Sequence, residues 1–130
     1  MPKALIVDDS KAVRIIIGRT LKELGYEVGE AGNGIEALAL LAVDPGSFSL
    51  LLADWNMPEM NGFELLTSLR QKPEFSSLTI VMVTTETEVG QMSLALEAGA
   101  NEYIMKPFTK DVLIEKLELL GFETAARGRS

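Results

Sequence analysis

The sequence predicts a doubly wound α/β domain: a five-stranded parallel sheet in the order 2-1-3-4-5, covered by helices on both faces and built from a βα unit repeated five times. Three observations carry this. Short apolar runs alternate with stretches of helical period along the whole chain. The runs are continuous, as strands buried on both faces require; the purest, Leu50-Leu51-Leu52-Ala53, ends abruptly in one carboxylate, Asp54. Right-handed crossovers leave few topologies for such units, half of a Rossmann-like domain being the alternative.

The elements follow in order. Residues 3–8 form the first strand, which ends in Asp8-Asp9. Ser10 caps a helix over 11–24, because a short hydroxyl side chain there can accept from a free N–H of the first turn. Val13, Ile16, Ile17, Leu21 and Leu24 recur at helical spacing, and Gly25 stops the helix. Residues 26–30 form strand two. Asn33 followed by Glu36 reads as a capping box, with Ile35, Leu38, Leu41 and Ala42 as the inward stripe of helix two. Asp44-Pro45-Gly46 is a loop. Strand three covers 49–54. Asn61 followed by Glu64 opens helix three, which runs to about residue 72 and stops at Pro73. Residues 78–83 form strand four, closed by Thr84-Thr85. Thr85 followed by Glu88 caps helix four, with Val89, Met92 and Leu96 inward and Gly99 as its stop. Strand five covers 102–105, and Lys106-Pro107 follows at once. Thr109 caps helix five, whose inward face is Leu113, Leu117 and Leu120, and Gly121 ends it.

A chain of 130 residues suits one domain, read as a domain over 1–121 and a polar tail over 122–130. No apolar run approaches the roughly 18 residues of a membrane span. The start, MPKALIV, lacks the layout of a signal peptide, so the expected location is the cytoplasm. Cysteine and histidine are both absent. This excludes disulfides, thiolate catalysis, a Ser-His-Asp triad, His-ligated metals and a phosphohistidine of the chain's own. Chemistry falls to Asp, Glu, Lys and hydroxyl groups. A net charge of −7 argues against nucleic-acid binding, which rests on Lys and Arg neutralising phosphates; it suits a cation site or a protein partner. The nine residues after Gly121 leave no room for an output domain, so the chain is expected either to act by binding a partner or to be one domain of a longer protein.

In the expected strand order, strands one and three are neighbours at the switch point, and the C-terminal ends of strands in such a sheet are where ligands bind. Asp8, Asp9 and Asp54 then share one pocket, and strands four and five add Thr84 and Lys106. A nucleotide or flavin binder wants Gly and Ser after strand one, so that backbone N–H groups can hold phosphate. This chain places two carboxylates there instead. Clustered anions raise one another's pKa unless a cation joins them. Hard oxygen donors with a phosphate as co-ligand point to Mg²⁺. Asp54 is the nucleophile toward phosphorus, forming an acyl phosphate. Mg²⁺ and Lys106 neutralise the phosphoryl oxygens, and Thr84 donates a hydrogen bond to a third.

The segments VDD, ADWNMP, MVTTE, Tyr103 and KPF resemble the receiver domains of two-component response regulators, the stand-alone CheY-type chemotaxis regulators above all; the likeness spans about residues 3–121. The resemblance implies phosphate transfer to Asp54 from the phosphohistidine of a partner histidine kinase. It implies Asp9 as a direct Mg²⁺ ligand, Asp8 acting largely through water, and the Asn56 backbone carbonyl as a further ligand. It also implies Thr84 and Tyr103 as a switch pair and a cis Lys106-Pro107 bond. Phosphorylation then alters a protein-binding face of helix four, strand five and helix five, where Ile114 and Lys116 are candidate contacts. Helix four opens with Glu86-Thr87-Glu88-Val89, where the motility regulator carries lysines after the shared Glu; its flagellar motor partner is therefore not carried over. Asn56 and Glu86 flank the expected path of attacking water and set the lifetime of the phosphorylated state.

Two other functions compete. A Mg²⁺-dependent phosphatase of the haloacid dehalogenase type also uses an Asp nucleophile, but after the first strand in an Asp-x-Asp pattern, whereas the pair here is adjacent. A flavodoxin-like electron carrier is disfavoured by carboxylates where phosphate should sit.

Overall fold

The computed structural model describes residues 2–85 and 89–122. Five strands, β1 (Lys3–Val7), β2 (Glu27–Ala31), β3 (Leu50–Asp54), β4 (Thr79–Thr85) and β5 (Glu102–Lys106), alternate with five helices, α1 (Lys11–Glu23), α2 (Gly34–Val43), α3 (Gly62–Arg70), α4 (Val89–Ala98) and α5 (Lys110–Leu119). The sheet is parallel in the order β2-β1-β3-β4-β5, as expected. The crossovers leave two apolar layers. One is made by α1 and α5 against Ala4, Ile6, Leu50, Leu52, Val81, Val83 and Ile104. The other is made by α2, α3 and α4 against Leu5, Val7, Leu51, Ala53, Ile80 and Met82. Every residue of β3 is buried, and at about 2 kcal/mol per fully buried Leu side chain this strand anchors both layers.

Three helices end alike. Gly25, Gly99 and Gly121 have φ of 100°, 113° and 90°, the left-handed region a side chain disfavours. After each, the next residue's N–H reaches back five residues to a helix carbonyl: Tyr26 to Leu21, Ala100 to Ala95 and Phe122 to Leu117. Tyr26 therefore belongs to the end of α1, and β2 starts one residue later than expected. Phe122 likewise packs against the core and lies 6.0 Å from the Tyr26 ring, rather than opening a polar tail. Residues 123–130 lie outside those described.

The caps at Ser10, Asn33, Asn61 and Thr109 all accept from the N–H three residues on. Asn61 and Glu64 form a full capping box. At Asn33 the return bond differs: Glu36 Oε1 takes the Gly32 N–H, not that of Asn33. The expected cap of helix four falls on residues 86–88, outside those described.

Several inward stripes differ from expectation. In α1, Ile16 is 64% exposed and lines a groove of about 540 Å³ toward the start of α5. In α2, Ile35 and Ala42 face outward while Ala37 and Leu41 are buried. In α4, Leu96 is exposed and Ala95 is buried beside Met92. Ile114 of α5, expected on a partner face, is 3% exposed and belongs to the core. Helix three stops at Arg70, two residues short of expectation, and a 3₁₀ turn over Pro73–Phe75 follows. β4 runs on through Thr84 and Thr85 instead of closing before them, because β-branched Thr suits a strand and β5 extends to Lys106 to pair with it.

Tyr26 is 2% exposed, and its hydroxyl has no hydrogen-bond partner among the described residues. Burial pushes its pKa from 10.0 up to about 12. A buried donor without a partner costs about 1–3 kcal/mol, so Tyr26→Phe is expected to leave stability unchanged or raise it by about 1 kcal/mol in urea denaturation. The pH dependence has a definite sign. A group whose folded pKa is raised contributes stability below its unfolded value and loses it as pH climbs toward the folded one. Wild type should therefore lose stability between pH 10.0 and about 12 relative to the Phe variant.

Candidate functional site

The site lies at the C-terminal edge of the sheet, where β1, β3, β4 and β5 end side by side. Asp8 directly follows β1 and is 3% exposed. Its N–H is held by the Ala31 carbonyl at 3.1 Å, and its Oδ1 accepts from the Ser10 N–H at 2.8 Å. The turn into α1 thus aims its other oxygen across the edge. Arg14 Nη1 donates to the Asp8 carbonyl and Nε pairs with Glu30 at 3.1 Å, bracing this turn from the β2 side. Asp9 is exposed at the mouth.

Asp54 is the last residue of β3 and is 7% exposed. The chain turns tightly behind it: Trp55 donates to Val83 at 3.0 Å, and Gly62 donates to Trp55 at 2.9 Å. Gly62 is obligatory for space, since a Cβ there would stand 2.4 Å from the Asp54 carbonyl oxygen. Trp55 is buried and stacks on Phe63 with ring centroids 5.2 Å apart, so it is a packing residue under the loop. Carboxylate oxygens of Asp8, Asp9 and Asp54 lie within 4.8 Å of one another. Lys106, ending β5, places Nζ 3.1 Å from Asp8 Oδ2 and 3.4 Å from Asp54 Oδ1. Its bond to Pro107 is cis, as the resemblance implies. Thr84 is 1% exposed, opposite Met105 in the β4–β5 ladder.

Burial pushes the Asp54 carboxyl above the usual range, and the Asp8 charge adds to this; Lys106 and the Asn56 backbone hydrogen bond oppose it without cancelling it. Burial also pulls on the Lys106 ammonium, but its hydrogen bond to Asp8 and the charges of Asp54 and Asp8 outweigh that and hold it above the usual lysine range. Three carboxylates against one ammonium leave negative charge in a largely desolvated place. The donor set is all hard oxygen, and its convergence fits a small divalent cation.

The structure therefore brings together Asp8, Asp9, Asp54 and Lys106, with Thr84 at the same edge. Asn56 is exposed at the rim. Tyr103 is half-buried on the sheet face that Thr84 shares, since Met82 pairs with Tyr103 and Thr84 with Met105. Glu86 lies outside the described residues. The sequence reading missed Arg14 and the Asn56 N–H, because a backbone acceptor and a backbone donor leave no mark in residue type.

Fold and site define a class: a doubly wound domain with an acidic cluster and a lysine at the C-terminal sheet edge, and one carboxylate ending the central strand. The chain belongs to the response regulator receiver domain family, which it matches over residues 4–118. It is 48% identical over 119 residues to chemotaxis protein CheY1 of Helicobacter pylori, covering 91% of this chain and 95% of that protein. It is 44% identical to chemotaxis protein CheY of Pseudomonas aeruginosa, covering 89% and 93%. The structure of Vibrio cholerae chemotaxis protein CheY4 matches it with a TM-score of 0.83 at 36% identity, over 92% of this chain and 98% of that one. The chain is thus a CheY-like receiver, and the phosphatase reading falls. Among the described residues no helix is long and apolar enough to cross a membrane.

Proposed function

We propose that the protein is a phosphoacceptor in chemotaxis-type signalling. It takes a phosphoryl group from the phosphohistidine of a partner kinase and, in that state, presents an altered face of α4, β5 and α5 to a downstream protein. One observation carries the reading: Asp54 is a buried carboxylate ending β3, 3.4 Å from the Lys106 ammonium and beside two further carboxylates.

The chemistry follows from these positions. An Asp54 oxygen attacks phosphorus, an O–P bond forms, the P–N bond to the donor imidazole breaks, and the imidazole leaves with the electron pair. Lys106 faces the developing phosphoryl charge, and the Thr84 hydroxyl donates to a phosphoryl oxygen. Asp8, Asp9, Asp54 and the Asn56 carbonyl would hold Mg²⁺, which when bound supplies charge neutralisation for the phosphoryl oxygens. The Asn56 N–H bond and Lys106 favour the ionised form of the nucleophile, opposing its burial. Phosphorylation adds about −1.5 to −2 charge beside Thr84. Movement of the Thr84 hydroxyl toward that charge frees space on the face it shares with Tyr103, and the ring turns inward.

The test is self-labelling with acetyl phosphate and Mg²⁺, followed by mass mapping. Label on Asp54 supports the reading; label on another residue overturns it. Asp9→Ala is expected to keep the fold and weaken Mg²⁺ binding in a tryptophan fluorescence titration. Asn56 stands at the rim, where water enters in line with the acyl phosphate. Asn56→Arg is expected to slow loss of label about tenfold, less than the roughly 10²–10⁴-fold of a full general acid or base because Asn56 only orients the water, while leaving label uptake possible. Decay after donor removal measures this, and decay at the wild-type rate would remove Asn56 from control of water.

A further inference from the structure

We infer that Lys116 and Glu102 form a positioning pair that holds the Tyr103 ring at the sheet edge in the resting protein, so that phosphorylation at Asp54 has to free the ring from Lys116 before Tyr103 turns inward. The inference deepens the proposed function and rests on the reading of Thr84 and Tyr103 as a switch.

β5 is an edge strand, so α5 can reach round to the open side of Tyr103. Lys116 does so: its Nζ stands 4.6 Å from the Tyr103 ring centroid, within reach of the ring's negative face. The ammonium is not free to follow a moving ring. It is tied to Glu102 Oε1 at 3.2 Å, and both side chains are largely shielded, 24% and 20% exposed. The same Glu102 oxygen accepts the backbone N–H of Tyr103 at 3.0 Å. One carboxylate oxygen thus fixes both the cation over the ring and the backbone beneath it. The helix that carries Lys116 is itself locked, since Ile114 and Leu117 are buried in the core on either side of it.

The outward ring has work to do there. Tyr103, Met105, Phe108, Val112 and Lys116 line a groove of about 360 Å³ between β5 and α5. Turning the ring inward would widen this groove and leave the Lys116 ammonium facing solvent. The contact therefore biases the resting state twice: it holds the ring out, and it keeps part of a charged, partly apolar surface covered until the ring moves. Glu102 sets the strength of that bias, because without it the ammonium can swing into water with its flexible stem.

Ring NMR of the phosphate-free protein tests the pair directly. Lys116→Met keeps the stem and removes the charge. It is expected to strengthen contacts between the Tyr103 ring protons and the Thr84 methyl, and to lower the midpoint of a beryllofluoride titration with Mg²⁺ about two- to fivefold, the factor a part-exposed cation–π contact supports. Glu102→Gln should move both readouts the same way, and Lys116→Arg, which keeps a cation over the ring, should restore wild-type behaviour. Unchanged ring contacts and midpoint in Lys116→Met would overturn the inference, as would failure of Lys116→Arg to restore them. If wild type itself gives no response to beryllofluoride, the proposed function fails, while the ring contacts in the phosphate-free protein still decide the pair.

Discussion

Asp54→Asn is expected to abolish labelling at position 54 by acetyl phosphate and, at the same time, to make the Mg²⁺-free protein more stable at neutral pH. The first effect follows from chemistry, since an amide oxygen cannot form the acyl phosphate. The second follows from burial. The folded state holds the Asp54 carboxyl above its ordinary 3.8, chiefly because the charged form is desolvated. A group whose folded pKa is raised adds stability below its unfolded value and loses it as pH rises through the folded one. As pH rises through that raised value, wild type takes on the cost of a buried charge. The Asn variant, nearly the same size, is relieved of it and should gain about 1 kcal/mol, the common scale of such relief. The gain should shrink as pH falls toward 3.8, where wild type is protonated too. Mg²⁺ reverses the order, because an ion that binds only the folded state stabilises in proportion to its affinity, and wild type has the extra carboxylate. Melting curves at pH 7 with and without Mg²⁺ measure both signs. An Asn variant less stable than wild type without Mg²⁺ would mean that Lys106 already compensates the charge in full.

Arg70→Ala is expected to destabilise the fold by about 3 kcal/mol, since each shielded acceptor left without a donor costs about 1–3 kcal/mol and three of its four bonds are part-buried. Arg70 ends α3 and spans the opposite, N-terminal edge of the sheet. Its Nε donates to the Gly99 carbonyl at 2.9 Å and Nη1 to that of Phe75 at 2.8 Å. Its Nη2 donates to the Leu78 carbonyl and to Asn101 Oδ1, each at 2.8 Å. Asn101 Oδ1 in turn accepts the Ile80 N–H at 2.8 Å. One planar fork thus closes the ends of α4, the 3₁₀ turn and the approaches to β4 and β5. A lysine has the charge but not the fork, so Arg70→Lys should recover only a small part. Urea denaturation should show a lower midpoint with an unchanged slope. Because the fork sits at the far edge from Asp54, the fraction that stays folded should label at the wild-type rate; a loss of labelling without a loss of stability would assign Arg70 a different role.

Both predictions separate what local sequence controls from what it does not. The sequence by itself determined the alternation of strands and helices, the strand order, the caps at Ser10, Asn33, Asn61 and Thr109, and the glycine stops. Each of these depends on interactions within a few residues, or on a continuous apolar run that only a two-faced strand can bury. It also made legible which residues gather at one edge, because Asp8, Asp9, Asp54, Thr84 and Lys106 all stand at or just past the C-terminal ends of apolar strands whose parallel order brings those ends together. Only the tertiary structure decided which side of an apolar helix faces in. In α2, GIEALALLAV is apolar nearly all round, so several rotations satisfy the periodicity, and contact with β1, β2 and α3 selects Ala37 and Leu41 over Ile35 and Ala42. Tertiary structure alone placed Arg70 across four acceptors, Arg14 against the Asp8 carbonyl, and Lys116 between Glu102 and the Tyr103 ring. The reason is the same in all three. Long cationic side chains bond to whatever backbone or ring lies within reach, and what lies within reach is fixed by the packing of elements 14 to 31 residues apart, or by how a turn is folded, rather than by the residue's own neighbours.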